Sequence, residues 1–167
     1  MARDIRANLL RWIDDPRRKT LIVLGGWNFL KNRLIRRLAP GSNRVLAEVD
    51  LSKPGSAALF DGDDPAVMLS RMEKTLGKEI DPDRTLLFLN GMKNCPELLG
   101  KIKYIAEGFP KLPLVVNGSG LESHIKKYEA ELPQKGVAYM RYSPYSFNEF
   151  LGDVSHSRTM YRVKQDE

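Results

Sequence analysis

The chain has 167 residues, 42% of them hydrophobic and 29% charged, which is enough for one domain with a real core and too apolar for a disordered chain. A net charge of +6, from 27 basic and 21 acidic residues, favours anionic partners such as nucleotides, nucleic acid or acidic lipid. No apolar run approaches the ~20 residues that cross a bilayer. The early charges Arg3, Asp4 and Arg6 argue against a secretory signal. Cys95 is alone, so neither an internal disulfide nor a thiolate cluster is available, and a reducing, cytoplasmic setting is expected.

In chain order, Ile5, Leu9, Trp12 and Ile13 lie near helical spacing and predict a helix over residues 4–13, closed by Asp14-Asp15-Pro16. The basic run Arg17-Arg18-Lys19 follows, read either as a solvated loop or as a cationic rim beside a phosphate or base. Residues 21–24 are an apolar run bounded by Gly25-Gly26, the pattern of a strand buried on both faces. The next helix carries Leu30, Leu34, Ile35 and Leu38 on one stripe, with Lys31, Arg33, Arg36 and Arg37 largely off it and Pro40-Gly41 as its stop.

A second strand is predicted over residues 45–49, ending at Asp50, and residues 52–62 are turn-rich. Asp64-Pro65 supplies an N-cap and a first-turn proline for a helix with Met68, Leu69, Met72 and Leu76 inward, ending near Gly77. Residues 86–89 form a third buried strand before Asn90-Gly91. Asn94-Cys95-Pro96 opens a helix with Leu98, Ile102 and Ile105 inward. A fourth strand, 114–116, ends in Asn117-Gly118-Ser119-Gly120. A helix over 121–130 and a fifth strand over 137–142 follow, and Ser146 and Glu149 form a capping box. Residues 1–152 are read as one domain and 153–167 as a polar tail.

Strands alternating with helices predict an α/β fold with a parallel sheet covered on both faces. Ligands in such sheets bind beyond the carboxyl ends of the strands. Those ends here are Gly25-Gly26, Asp50, Asn90-Gly91, Asn117-Gly118-Ser119 and Ser143. A phosphate loop requires G-x-x-x-x-G-K-[S/T]. The chain offers Gly25-Gly26-Trp27-Asn28-Phe29-Leu30-Lys31-Asn32, with the first glycine and the lysine correctly spaced.

The segments RRKTLIVLGG, LLFLNGMKNCPELLGKIKYIAEGFPKLPLVVNGSG and RYSPYSFNEFL together resemble the AAA-type P-loop ATPase domain that bacterial and archaeal proteins often fuse to a restriction-endonuclease-like domain. The likeness spans residues 4–151. It implies a three-layer P-loop NTPase-like fold whose five-stranded parallel sheet has the order 5-1-4-3-2, and it implies ATP and Mg2+ as ligands. On that likeness Gly25, Gly26, Trp27, Asn28, Phe29, Leu30, Lys31 and Asn32 form the nucleotide loop. Asn90 and Gly91 take the positions of the acidic second motif, and Ser119 that of the polar sensor.

The departures fall on the chemistry. Leu30 replaces the second loop glycine and would crowd the phosphates or reshape the loop. Asn32 replaces the hydroxyl that helps hold magnesium. Asn90 and Gly91 replace Asp-Glu, which removes a carboxylate ligand and the group that polarises water. The expectation is an AAA-type ATP-binding domain with degenerate motifs, at most weak nucleotide binding and no efficient hydrolysis. The alternative is a non-enzymatic scaffold that binds DNA or a protein partner through Arg33, Arg36 and Arg37.

Lys31 has two readings, a phosphate ligand or a solvated lysine on a basic face, and Ser119 is equally readable as a turn serine. Trp27 and Phe29 could fill the emptied cleft, join the core or meet a partner. His124 and His156 lack metal-ligand spacing and are read as surface residues. Cys95 is read as a small buried residue.

Overall fold

The computed structural model describes residues 2–26 and 28–142. The expected Ser146–Glu149 capping box, the tail 153–167, His156 and Trp27 therefore lie outside the described residues. The elements are α1 (Ala2–Asp14), β1 (Thr20–Leu24), α2 (Asn28–Gly41), β2 (Val45–Asp50), α3 (Pro65–Leu76), β3 (Thr85–Asn90), α4 (Ile102–Gly108), β4 (Leu114–Asn117), α5 (Glu122–Lys127) and β5 (Val137–Arg141).

The sheet is five-stranded with the order β2-β3-β4-β1-β5, and every pairing is parallel. This is the expected order, 5-1-4-3-2, read from the other edge. Alternation along the strands divides the core in two. Leu21 and Val23 of β1, Leu86 and Phe88 of β3, and Ala138 and Met140 of β5 face α1 and α2, where Ile5, Leu9, Trp12, Ile35 and Leu38 meet them. Ile22, Leu24, Leu87, Leu89, Leu114 and Val116 face the other way, onto Met68, Leu69 and Met72 of α3 and Ile102 and Ile105 of α4. Leu86, Leu87, Phe88 and Leu89 have no measurable exposure. Each such side chain contributes roughly 1.5–3 kcal/mol of burial, so the central strands need no polar face. Among the described residues, no helix is long and apolar enough to cross a membrane.

Local signals set most boundaries. Asp64 caps α3 by accepting from the Ala66 N–H, with Pro65 in the first turn and Gly77 closing the helix in the left-handed region. In α2 the expected stop is observed, with Pro40 and Gly41 as the last two helical residues. A proline has no N–H for the bond back along the helix, and the helix ends one residue after it. Ser42 then takes over the end, its N–H and Oγ both donating to the Leu38 and Ala39 carbonyls. Asn43, at φ 60°, turns the chain away.

The region expected to open a helix at Asn94-Cys95-Pro96 instead forms two 3-10 turns, Met92–Asn94 and Pro96–Gly100, before α4 begins. Gly91 enters this region at φ 86°, and three-residue hydrogen bonds run through it, from the Cys95 N–H to the Met92 carbonyl and from the Leu98 N–H to the Cys95 carbonyl. Leu98, Ile102 and Ile105 remain buried as expected. The helix expected over 121–130 is shorter, with α5 followed by the 3-10 turn Glu129–Glu131.

Candidate nucleotide site

The carboxyl ends of β1, β3 and β4 lie side by side. Register places Leu89 opposite Val116, so the next residues along, Asn90 and Asn117, end their strands at the same level. Val23 of β1 is level with Asn117 on its other side. α2 starts just beyond β1 and brings Asn32 over these ends.

The three asparagines form one hydrogen-bonded network. Asn117 Nδ2 donates to Asn32 Oδ1 at 2.9 Å and to Asn90 Oδ1 at 3.0 Å. Asn90 Nδ2 donates to Glu48 Oε2 at 3.1 Å, and Arg36 grips Glu48 with two bonds of 2.7 and 2.9 Å. The amide orientations follow from the two ends of the network. The Ser119 backbone N–H can only donate, and it does so to Asn117 Oδ1 at 3.0 Å, which turns Nδ2 toward the other two amides. A carboxylate can only accept, so Glu48 takes the Nδ2 end of Asn90 and leaves its Oδ1 for Asn117. Arg36 first, and Asn90 as well, hold the Glu48 carboxyl below its ordinary range despite partial burial. Asn117 is itself buried, at 4% exposure.

This donor set does not fit Mg2+. The ion takes oxygens in a near-ideal octahedron and is normally anchored by a carboxylate. Here the two amide oxygens converge on the Asn117 N–H groups, so a donor occupies the place between them. Glu48 is committed to Arg36 and Asn90. Asp50 Oδ1 accepts from the Ser52 hydroxyl and N–H. Among the described residues no group of three His, Cys, Asp or Glu side chains could hold a metal. At Gly91 a side chain would also be strained, since φ is 86° and a Cβ would lie 3.3 Å from the Ser52 nitrogen.

In the segment expected to bind phosphate, Lys31 reaches back to Gly25. Lys31 is 1% exposed, and its Nζ donates to the Gly25 carbonyl at 2.8 Å. A solvated lysine on a basic face is thereby corrected. Burial lowers its pKa to about 8; Glu122 acts against this, and Arg141 and Lys93 reinforce it. Gly25 has φ 103°, and a Cβ there would run into the Tyr142 carbonyl oxygen; only glycine fits where β1 gives way to the loop.

Leu30, at the position of the second loop glycine, is half-buried and packs against the α1–α2 core. Phe29 is 76% exposed and does not fill the cleft. Gly26 is exposed, and Asn28 begins α2. The basic face of α2 is smaller than its sequence suggests, because Arg36 belongs to Glu48, leaving Arg33 and Arg37 exposed.

The remaining candidates are quiet. Cys95 is buried with Sγ 3.7 Å from the Leu51 carbonyl, and burial, then Glu97, pushes its thiol pKa up, the reverse of a nucleophile. His124 is half-buried rather than on the surface. Glu48 was not singled out from the sequence, Arg36 was read as part of a basic face and Asn117 as a strand end, and none of the three was expected in this network. Their signal was two neighbouring strands that both end in asparagine.

The chain matches no protein-family model and no curated protein sequence.

Proposed function

We propose that this chain is an AAA-type P-loop domain without hydrolytic chemistry, a pseudo-ATPase whose nucleotide binding is weak and independent of magnesium. The observation that carries this reading is the Asn117 amide nitrogen bridging Asn32 and Asn90. A working site holds the metal with a hydroxyl and a carboxylate at the corresponding positions. Neutral amides that satisfy one another provide neither the charge nor the vacant lone pairs. Gly91 supplies no group to polarise water. What supports residual binding is Lys31, a buried cation in the first turn of a helix that donates to a loop carbonyl. A phosphate could take that bond over, aided by the helix N-terminus. The proposed setting is the cytoplasm, which supplies nucleotide and keeps Cys95 reduced.

Calorimetric titration with ATP, with magnesium and with chelator, tests this on the native protein and on Lys31→Ala. The expected result is weak binding of equal strength in both buffers, lost in Lys31→Ala, with no phosphate release. Affinity raised about tenfold or more by magnesium, a difference of about 1.4 kcal/mol, contradicts the reading. Absence of binding at millimolar ATP removes its nucleotide-binding part.

A further inference from the structure

The opposite end of the sheet carries a different cluster of charge. The segments entering β1, β4 and β5 are neighbours there, because those strands are adjacent in the sheet. They enclose a cavity of about 460 Å3 lined by Arg17, Arg18, Lys19, Lys111 and Lys135, with Glu107 as its single carboxylate. Glu107 is already used, since its Oε2 accepts from the Gln134 N–H at 3.1 Å. The ion pairs among the described residues, Arg36–Glu48 and Arg141–Glu122, involve none of the five cations. Asp14 and Asp15, at the end of α1, act on Arg18 and offset part of this charge, which leaves a positive excess carried by Arg17, Lys19, Lys111 and Lys135.

The cavity is also built from anchored parts. Trp12, buried in the α1–α2 core, donates its Nε1–H to the Lys19 carbonyl at 2.8 Å. Arg18 ties its loop to the Ile13 carbonyl at 3.1 Å and across to the Lys111 carbonyl. Its Nε is buried without a hydrogen-bond partner. Lys19 Nζ lies 3.6 Å from where a Cβ on Gly136 would sit, so the absent side chain leaves room for the ammonium between two segments. Holding cations together in this way works against their mutual repulsion, and a bound polyanion relieves it.

We propose that this cavity is a second anion site, separate from the phosphate loop, that takes a small polyphosphate-bearing molecule. Its volume lies in the range of small-ligand pockets, roughly 300–1,000 Å3. Its cations converge from three segments on one concavity instead of lining an extended track, which distinguishes it from a groove that follows a nucleic-acid backbone.

Inorganic tripolyphosphate is the probe, titrated calorimetrically into Lys31→Ala so that the phosphate loop contributes nothing. Saturable binding to one site per chain is expected. The pair Lys111→Glu and Lys135→Glu, both at exposed positions, weakens it by about tenfold or more. The pair Lys111→Arg and Lys135→Arg retains it. Thermal unfolding curves establish that each variant is folded. Absence of binding overturns the proposal, as does equal affinity in the charge-reversed pair. So does an oligonucleotide that binds these lysines while tripolyphosphate fails to displace it, which assigns the surface to nucleic acid. Because the titration is made without Lys31, its failure leaves the reading of the phosphate loop intact, and the converse also holds.

Discussion

Asn117→Asp is expected to destabilise the fold by about 3–5 kcal/mol at neutral pH, the cost of an unpaired buried charge. The change is nearly isosteric but replaces a double donor with a carboxylate facing Asn32 Oδ1 and Asn90 Oδ1. Two buried hydrogen bonds are lost, and the new charge meets two partial negative charges at 4% exposure. The introduced carboxyl therefore has a folded-state pKa above its unfolded value. Its protonated form regains one O–H donor, so the deficit relative to the native protein is smallest at acid pH and grows as pH rises through the raised pKa. The variant also creates what the native site lacks, a carboxylate beside two amide oxygens. Millimolar magnesium should restabilise Asn117→Asp and leave the native protein unchanged. Denaturant unfolding at several pH values, with and without magnesium, reads both effects. An Asn117→Asp protein as stable as the native one would show that the network does not hold these strand ends together.

Lys31→Met is expected to have the second largest effect, in the opposite direction. The native ammonium is buried, and its pKa falls from 10.5 to about 8. Between those values the unfolded chain binds a proton that the folded chain does not, so native stability rises with pH across that window. Below about 8 the full penalty is present, on the order of 3–3.5 kcal/mol by the free-energy equivalent of the shift. Methionine keeps the length and hydrophobic stem without the charge. Lys31→Met should thus be more stable than the native protein at neutral pH, lose the alkaline rise and lose ATP binding. Stability that stays flat with pH in both proteins would mean that the lysine is solvated. The pairing of lower stability with an anion-binding role is what a desolvated cation in a ligand site entails.

Much of the fold was legible because its signals are local. Three apolar runs, each closed by Gly or Asn, announced buried parallel strands, and Asp64-Pro65 with Gly77 bounded α3. Strand order came from a resemblance, and the observed sheet has that order. The 3-10 path through Met92–Gly100 was missed because a buried leucine pattern does not distinguish three residues per turn from 3.6 over so short a stretch.

The segments expected to form a site do meet at the strand ends, but the contacts among them were not legible. Lys31 stands off the apolar stripe of α2, which left a solvated lysine and a phosphate ligand both open. It is buried, with its Nζ turned back onto the Gly25 carbonyl. Asn32, Asn90 and Asn117 were noted as losses or turn residues one at a time. That they satisfy each other depends on β3 and β4 being neighbours in register, a fact that no single segment carries. The basic cavity is similar: Arg17-Arg18-Lys19 is visible as a run, but only the β4-β1-β5 order brings Lys111 and Lys135 to it.

The central claim is that a neutral amide network stands where a P-loop enzyme holds its metal. Manganese tests it most directly. It takes the same kind of oxygen ligands as magnesium, and its unpaired electrons broaden the nuclear resonances of nearby groups. In nitrogen-15 spectra of the protein with ATP, the side-chain amide signals of Asn32, Asn90 and Asn117 are predicted to stay sharp as manganese is added. Any broadening should be spread over exposed carboxylates. Selective loss of those three signals at substoichiometric manganese would place a cation among them and contradict the account.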